Sequence, residues 1–328
     1  MSEQRGGSML KLERMRTAFD RAFRNEQNEN LQKIEEANNV LESKMDSLIS
    51  GEIDNVALQT DIEQKLNVLE AQYAPKLTEV SEKLDDTIVM NSIFNFNSIK
   101  YIAHRGAATF APENTIPAFE ISGKSGYWGS EADINCTSDG YWVVIHDATV
   151  DAMTDGTGNV SGMTLSQIKS LTIDSGNNVS DFPGTKIPTL DEYIEVCSKH
   201  NIIPVIEVKA FKNRMEIESL INIVSKYNLI DKCIIISSLI TALQEIREIN
   251  RSIALGWVAV NYDDSVRDTL LDLGNSFLNM IDSSITLEVV NDCHAHGLKV
   301  GAWTVNNHNR RMDLINMGVD IITTDKLI

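Results

Sequence analysis

The residues able to do chemistry cluster where short apolar runs end. Glu131 and Asp133 are two apart, as are Glu207 and Lys209, and in an extended strand that spacing puts both side chains on one face. His104-Arg105 and His146-Asp147 each close an apolar stretch, and Trp303 and Asn306 follow another. Three carboxylates converging at one place repel one another unless a hard cation lies among them. The all-oxygen set of Glu131, Asp133 and Glu207 fits Ca²⁺ or Mg²⁺. His104 and His146 lack zinc-type spacing and suit a general base and a general acid. Arg105 and Lys209 bring the positive charge that an anionic, phosphoryl-like transition state requires. Singly, each of these residues reads as solvated surface. Their concentration at one end of successive strands is what points to a site.

The elements that must position them are legible. Apolar runs occur at 99–104, 128–134, 202–208, 233–237, 253–258, 277–281, 299–303 and 319–323. Amphipathic stretches at 213–227, 239–249, 264–273, 286–296 and 307–317 lie between the later ones. Such alternation predicts an α/β fold, a (β/α)8 barrel, over residues 99–328, with a doubly wound open sheet as the alternative. Strands two and three are separated by a long insertion. It carries a predicted extra strand (Tyr141 to His146), the turn Asp155-Gly156-Thr157-Gly158, a short helix near Thr164–Lys169 and another near Thr189–His200. In a barrel, an insertion there overhangs the face that holds active sites.

Residues 1–98 are of another kind. All 6 His, all 4 Trp and all 4 Cys of the chain lie after them. Leu12, Met15, Phe19 and Phe23 make a helical stripe, Ile34, Leu41 and Leu48 recur every seven, and Ile62 to Leu84 follow an eleven-residue repeat. A lone stripe needs a partner, which predicts a helical oligomerisation region, a parallel homotrimer in preference to a dimer, or a hairpin folded on the main domain. Asn91 to Ser98 reads as the junction.

Composition excludes some partners. The 328 residues carry 29 Lys+Arg and 47 Asp+Glu, a net charge of -18. That argues against nucleic acid and against an anionic lipid surface. No run reaches the ~20 apolar residues of a membrane span. Cys136, Cys197, Cys233 and Cys293 show neither close pairing nor metal-ligand spacing, so they are expected as reduced thiols, consistent with assembly in a reducing cytosol. No apolar secretory segment opens the chain.

Several motifs, taken together, resemble the glycerophosphodiester phosphodiesterase family. They are His104-Arg105-Gly106, Pro112-Glu113-Asn114-Thr115 with Ala118-Phe119, Glu131-Ala132-Asp133 with Thr137 and Asp139-Gly140, and His146-Asp147. Thr154 with Gly156-Thr157-Gly158, Glu207-Val208-Lys209, Trp303-Thr304-Val305-Asn306, and Gly318-Val319-Asp320 with Thr324-Asp325 continue them in order. The resemblance implies a barrel hydrolase of glycerol phosphodiesters. In it Glu131, Asp133 and Glu207 hold a metal, His104 and His146 exchange protons, and Arg105, Lys209, Trp303 and Asn306 contact substrate. Two stretches depart from the pattern: Ala152-Met153 stand where an Arg is common, and Ser238-Leu239 replace the usual Phe after Ser237. Both bear on substrate fit.

The segment Leu10 to Phe19 looks like the attachment helices of bacteriophage tail or baseplate proteins. That resemblance implies a virion tail enzyme, with other tail proteins as partners, acting on glycerol-phosphate teichoic acid at a host surface. The alternatives are a cytoplasmic enzyme of phospholipid metabolism and a receptor-binding barrel that grips without cutting.

Overall fold

The computed structural model describes Ile93, Phe94 and residues 96–326. The expected helical, trimeric region of residues 1–98 otherwise lies outside the described residues. Nine strands form one sheet: β1 (Lys100–Ala103), β2 (Gly129–Cys136), β3 (Trp142–Val144), β4 (Ile203–Val208), β5 (Ile234–Ser237), β6 (Ala254–Ala259), β7 (Ser276–Ile281), β8 (Lys299–Trp303) and β9 (Ile321–Thr324). Their order is β1-β9-β8-β7-β6-β5-β4-β2-β3, and a further β1–β2 pairing closes the eight parallel strands into a barrel. β3 runs antiparallel on β2 and belongs to the insertion. The expected closed (β/α)8 architecture is what the chain adopts, and the open sheet is excluded by the closing pair.

The helices are α1 (Ile116–Lys124), α2 (Leu165–Ser170), α3 (Leu190–His200), α4 (Arg214–Lys226), α5 (Ile240–Ile249), α6 (Asp264–Leu273), α7 (Leu287–Ala295) and α8 (His308–Met317). α3 starts on a capping box: Thr189 accepts from the Glu192 amide while the Glu192 carboxylate accepts from the Thr189 amide. α1 is the element that the periodicity misses. It is short, and Ser122 and Gly123 interrupt its apolar face, yet Thr115 caps it and Pro117 follows in its first turn.

Alternation along the strands separates two cores. Outward residues such as Ala132, Ile134, Ile206 and Ile235 pack against the helices. Inward residues Ile102, Val205, Ile234, Ala254, Phe277 and Ile321 fill the interior. Phe94 joins them from below, its ring 5.1 Å from that of Phe277. Phe96 packs edge-on against Trp128 at 5.5 Å, with Lys100 and Lys299 over its ring. The packing of the barrel thus begins ahead of residue 99. The insertion has its own small core, built by Val143, Ile145, Val160, Ile168 and Ile187 among others. All four cysteines are buried and unpaired. Among the described residues no helix is long and apolar enough to cross a membrane.

Candidate active site

One step further along the same inward rows, the apolar filling gives way to charge. Glu131 and Asp133 face inward from β2, and Asp133 is paired in register with Glu207 of β4. One oxygen from each of Glu131, Asp133 and Glu207 lies within 4.8 Å of the others. Glu131 and Asp133 are buried, at 2% and 1% exposure. Burial, with Asp133 and Glu207 alongside, pushes the Glu131 carboxyl well above its ordinary range.

The β1–α1 loop supplies the clamp around them. Arg105 holds a left-handed backbone, φ 53°, and Gly106 follows at φ 78°. For a residue with a Cβ that conformation costs about 1–2 kcal/mol, and such outliers gather at working sites. Here the turn aims the Arg105 amide at Glu131 Oε2, 2.7 Å away. The Arg105 side chain donates to Glu113 at 2.7 Å and pairs with Asp133 at 3.3 Å. Asn114 donates to Asp133 Oδ2 at 2.8 Å, and its Oδ1 accepts from the Asp133 amide at 3.1 Å. From the other side Lys209 lies 2.9 Å from Glu207 and 3.6 Å from Asp133. Burial works to lower the pKa of both cations, but the neighbouring carboxylates outweigh it and hold both above their ordinary values.

Four carboxylates (Glu113, Glu131, Asp133, Glu207) are therefore balanced by two cations, which leaves a deficit of about one divalent ion. Glu131 Oε1 is buried without a hydrogen-bond partner. A hard cation among these oxygens would satisfy that atom and relieve the repulsion, so the residues fit the group.

His104 Nδ1 stands 2.8 Å from Asp325 Oδ1. Burial tends to raise the Asp325 carboxyl, but the His104 hydrogen bond and charge outweigh it and keep the pKa below the usual carboxylate range. A carboxylate only accepts, so Nδ1 carries the proton and Nε2 remains for substrate. Asp325 is itself fixed: its amide donates to Asn306 Oδ1 at 3.0 Å, and Asn306 Nδ2 donates to its carboxylate. His146, brought in by the insertion, makes a parallel pair with Asp147 at 2.8 Å. Both histidines, with Arg105, Glu131, Glu207, Lys209 and Trp303, line one cleft of about 280 Å³ at the C-terminal end of the barrel. Two neutralising cations, two imidazoles and an oxygen cage in one cleft can carry out acid–base displacement at a phosphoryl group.

The sequence profile of the glycerophosphoryl diester phosphodiesterase family matches residues 104–328. The chain belongs to that family. A glycerophosphodiester phosphodiesterase of Caldanaerobacter subterraneus is 34% identical over 233 residues, 68% of this chain and 93% of the relative. The Bos taurus glycerophosphodiester phosphodiesterase 1 is 30% identical over 245 residues, 65% of this chain and 73% of the relative. Among solved structures, an Oleispira antarctica phosphodiesterase in complex with the product sn-glycerol-3-phosphate superposes with a TM-score of 0.65. It is 28% identical, over 69% of this chain and 92% of its own. The protein is thus a phosphoric diester hydrolase of the glycerophosphodiester phosphodiesterase type.

Within that family frame, the structure brings eight of the nine expected residues to the cleft or directly behind it, and the ninth, Asn306, stands beside them against Asp325. Seven line the cleft, and Asp133 sits behind them against Arg105 and Lys209. Asn306 does not line it. Both ends of its amide are engaged, with Thr324 and the Asp325 amide on Oδ1 and the Asp325 carboxylate on Nδ2. The contacts it makes within the protein fix Asp325. Trp303 lines the cleft with its ring, while its Nε1 donates to the Asn279 carbonyl at 3.1 Å. Glu113, Asn114 and Asp325 were visible in the family motifs but had no assigned role. Asn279, a single polar residue in the apolar run of β7, carried no sequence signal of its own.

Proposed function

We propose that this protein is a divalent-metal-dependent phosphodiesterase whose natural substrate is a glycerol-phosphate polymer such as wall teichoic acid. The observation that carries the reading is the carboxylate cage of Glu131, Asp133 and Glu207 beside two aspartate-paired histidines in one cleft. Ca²⁺ or Mg²⁺ held by those three side chains would supply neutralisation of phosphoryl charge. Arg105 and Lys209 hold the phosphate from either side. One imidazole, neutral, takes the proton of the glycerol hydroxyl next to the phosphate. That oxygen forms a bond to phosphorus, the bond to the leaving arm breaks, and the second imidazole protonates the departing oxygen. Water then opens the cyclic phosphate by the reverse proton traffic.

The placement on a virion tail, with residues 1–98 as a trimeric attachment stalk among other tail proteins, rests on the helical repeats and opening segment of the sequence. A second reading is a cytoplasmic enzyme of small glycerophosphodiesters. It needs only the barrel, the part of this chain that the Caldanaerobacter glycerophosphodiester phosphodiesterase matches over 93% of its length.

Purified glycerol-phosphate polymer and small glycerophosphodiesters, each with Ca²⁺, Mg²⁺ or chelator, separate these readings. Polymer cleavage is expected to require the ion and to fall by roughly 10²–10⁴ in His104→Ala. Undiminished turnover in that variant, or in chelator, would falsify the site. Cleavage confined to small diesters favours the cytoplasmic reading, and retention of uncut polymer favours a binding barrel. A monomeric mass in light scattering defeats the stalk.

A further inference from the structure

The cleft is divided chemically. On the side of β1, β2 and β4 its side chains are charged and paired. Across from them the wall is Ile236, Val258, Val260 and Trp303, with the buried Asn279 and Thr323 set among them and the exposed Ser238 at its rim. Asn279 is 4% exposed and two residues beyond the inward-facing Phe277, so its amide points into the barrel. No group among the described residues hydrogen-bonds either end of that amide, and Oδ1 is occluded without a partner. Gly301, in register with Asn279 on β8, makes the room: a Cβ there would stand 2.9 Å from Oδ1 and 2.8 Å from the Phe277 ring. Thr323 is 5% exposed and lines the same wall. A buried polar atom left without a partner at the wall of a cleft is one that a ligand can complete.

We propose that Asn279, assisted by Thr323, sets specificity for the leaving arm of the diester by recognising a neutral, hydroxyl-bearing alcohol. The inference rests on the phosphodiesterase reading and deepens it. Phosphate and the attacking glycerol belong on the charged side, with Arg105, Lys209 and the histidines, so the leaving arm extends to the opposite wall. A hydroxyl both donates and accepts, and so completes the amide in either orientation. Trp303 and Val258 receive the C–H face of the same arm. No carboxylate lines that wall among the described residues, and Asp325 at the end of β9 is engaged by His104 and Asn306. An ammonium-bearing arm therefore finds no counter-charge there.

The test compares kcat/KM for glycerophosphoglycerol with that for glycerophosphopropanol, which keeps the attacking glycerol and phosphate but lacks the hydroxyls of the leaving arm. The unaltered protein is expected to prefer the hydroxylated diester by about tenfold or more, because a site built for a hydroxyl rejects the analogue lacking it. Asn279→Leu brings the ratio to within about twofold of unity, and Thr323→Val lowers it by a smaller factor. Because Asn279 is buried, Asn279→Ser is measured in parallel; it restores a polar group and recovers part of the preference. A ratio near one in the unaltered protein, or a ratio that survives both Asn279→Leu and Thr323→Val, overturns the proposal. So does a preference for glycerophosphoethanolamine over glycerophosphoglycerol. Failure to turn over any of these diesters, and glycerol-phosphate polymer as well, with Ca²⁺ or Mg²⁺ sinks the phosphodiesterase reading itself.

Discussion

The floor and the mouth of this barrel are built from the same strands, a few residues apart, and they obey opposite rules. On the floor, Ile102, Val205, Ile234, Ala254, Phe277 and Ile321 meet Phe94 with no polar atom among their side chains. At the mouth, the next inward positions are the similarly buried Glu131, Asp133 and Asn279 and the half-buried Glu207, which carry charge or unpartnered oxygens. Burial stabilises the first group through apolar area and penalises the second through desolvation. One strand register thus places stability and chemistry in adjacent layers, so each can be perturbed with limited effect on the other.

The comparison breaks most sharply at Phe277. Phe277→Ala leaves a cavity between Phe94, Gly256 and Gly301 and is expected to cost about 3–5 kcal/mol of stability, read from denaturant midpoints. If the layers are independent, turnover per folded molecule stays within a few-fold of the unaltered protein; a collapse of kcat in the still-folded fraction would show that the floor also shapes the mouth. Glu131→Gln acts in the opposite sense. Because the Glu131 carboxyl is held above its ordinary pKa, its charge destabilises the fold at neutral pH. Removing it is expected to raise the melting temperature in chelator, by about 1 kcal/mol equivalent, while abolishing turnover and the further rise that Ca²⁺ or Mg²⁺ gives the unaltered protein. A lower melting temperature in chelator would contradict the strain assigned to the cage.

The smallest effect lies outside both layers. Glu120, beside Lys199, His200 and Lys124, has its pKa lowered to about 2, chiefly by its hydrogen bond from Lys199, against the opposing effect of burial. A depressed acid contributes stability that is complete above its ordinary pKa of about 4.5 and is lost as pH falls through about 2. Glu120→Gln should flatten the decline of stability between those values and change little at pH 7. An unchanged acid limb would remove this pair from the account.

Strand positions, the insertion and the convergence of the carboxylates with the two histidines were legible because period-two alternation and i, i+2 carboxylates are local features. α1 was not, since Ser122 and Gly123 blur a short apolar face; its cap, Thr115 with Pro117, was the surviving signal. The Asp325 clamp on His104 joins residues 221 apart in sequence and exists only because β9 closes against β1. The partners of Asn306 likewise arrive only with ring closure. Asn279 needed the strand register, which the apolar run around it does not specify by sequence alone.

Phe94 gives the barrel a mechanical polarity. The chain enters at the floor, where that ring is wedged against Phe277 and Phe96 is held by Trp128, Lys100 and Lys299. Tension applied through residue 93 is therefore delivered to an apolar plug, at the end of the strands remote from Glu131 and His104. Load applied there is expected to act on the wedge before it reaches the catalytic geometry.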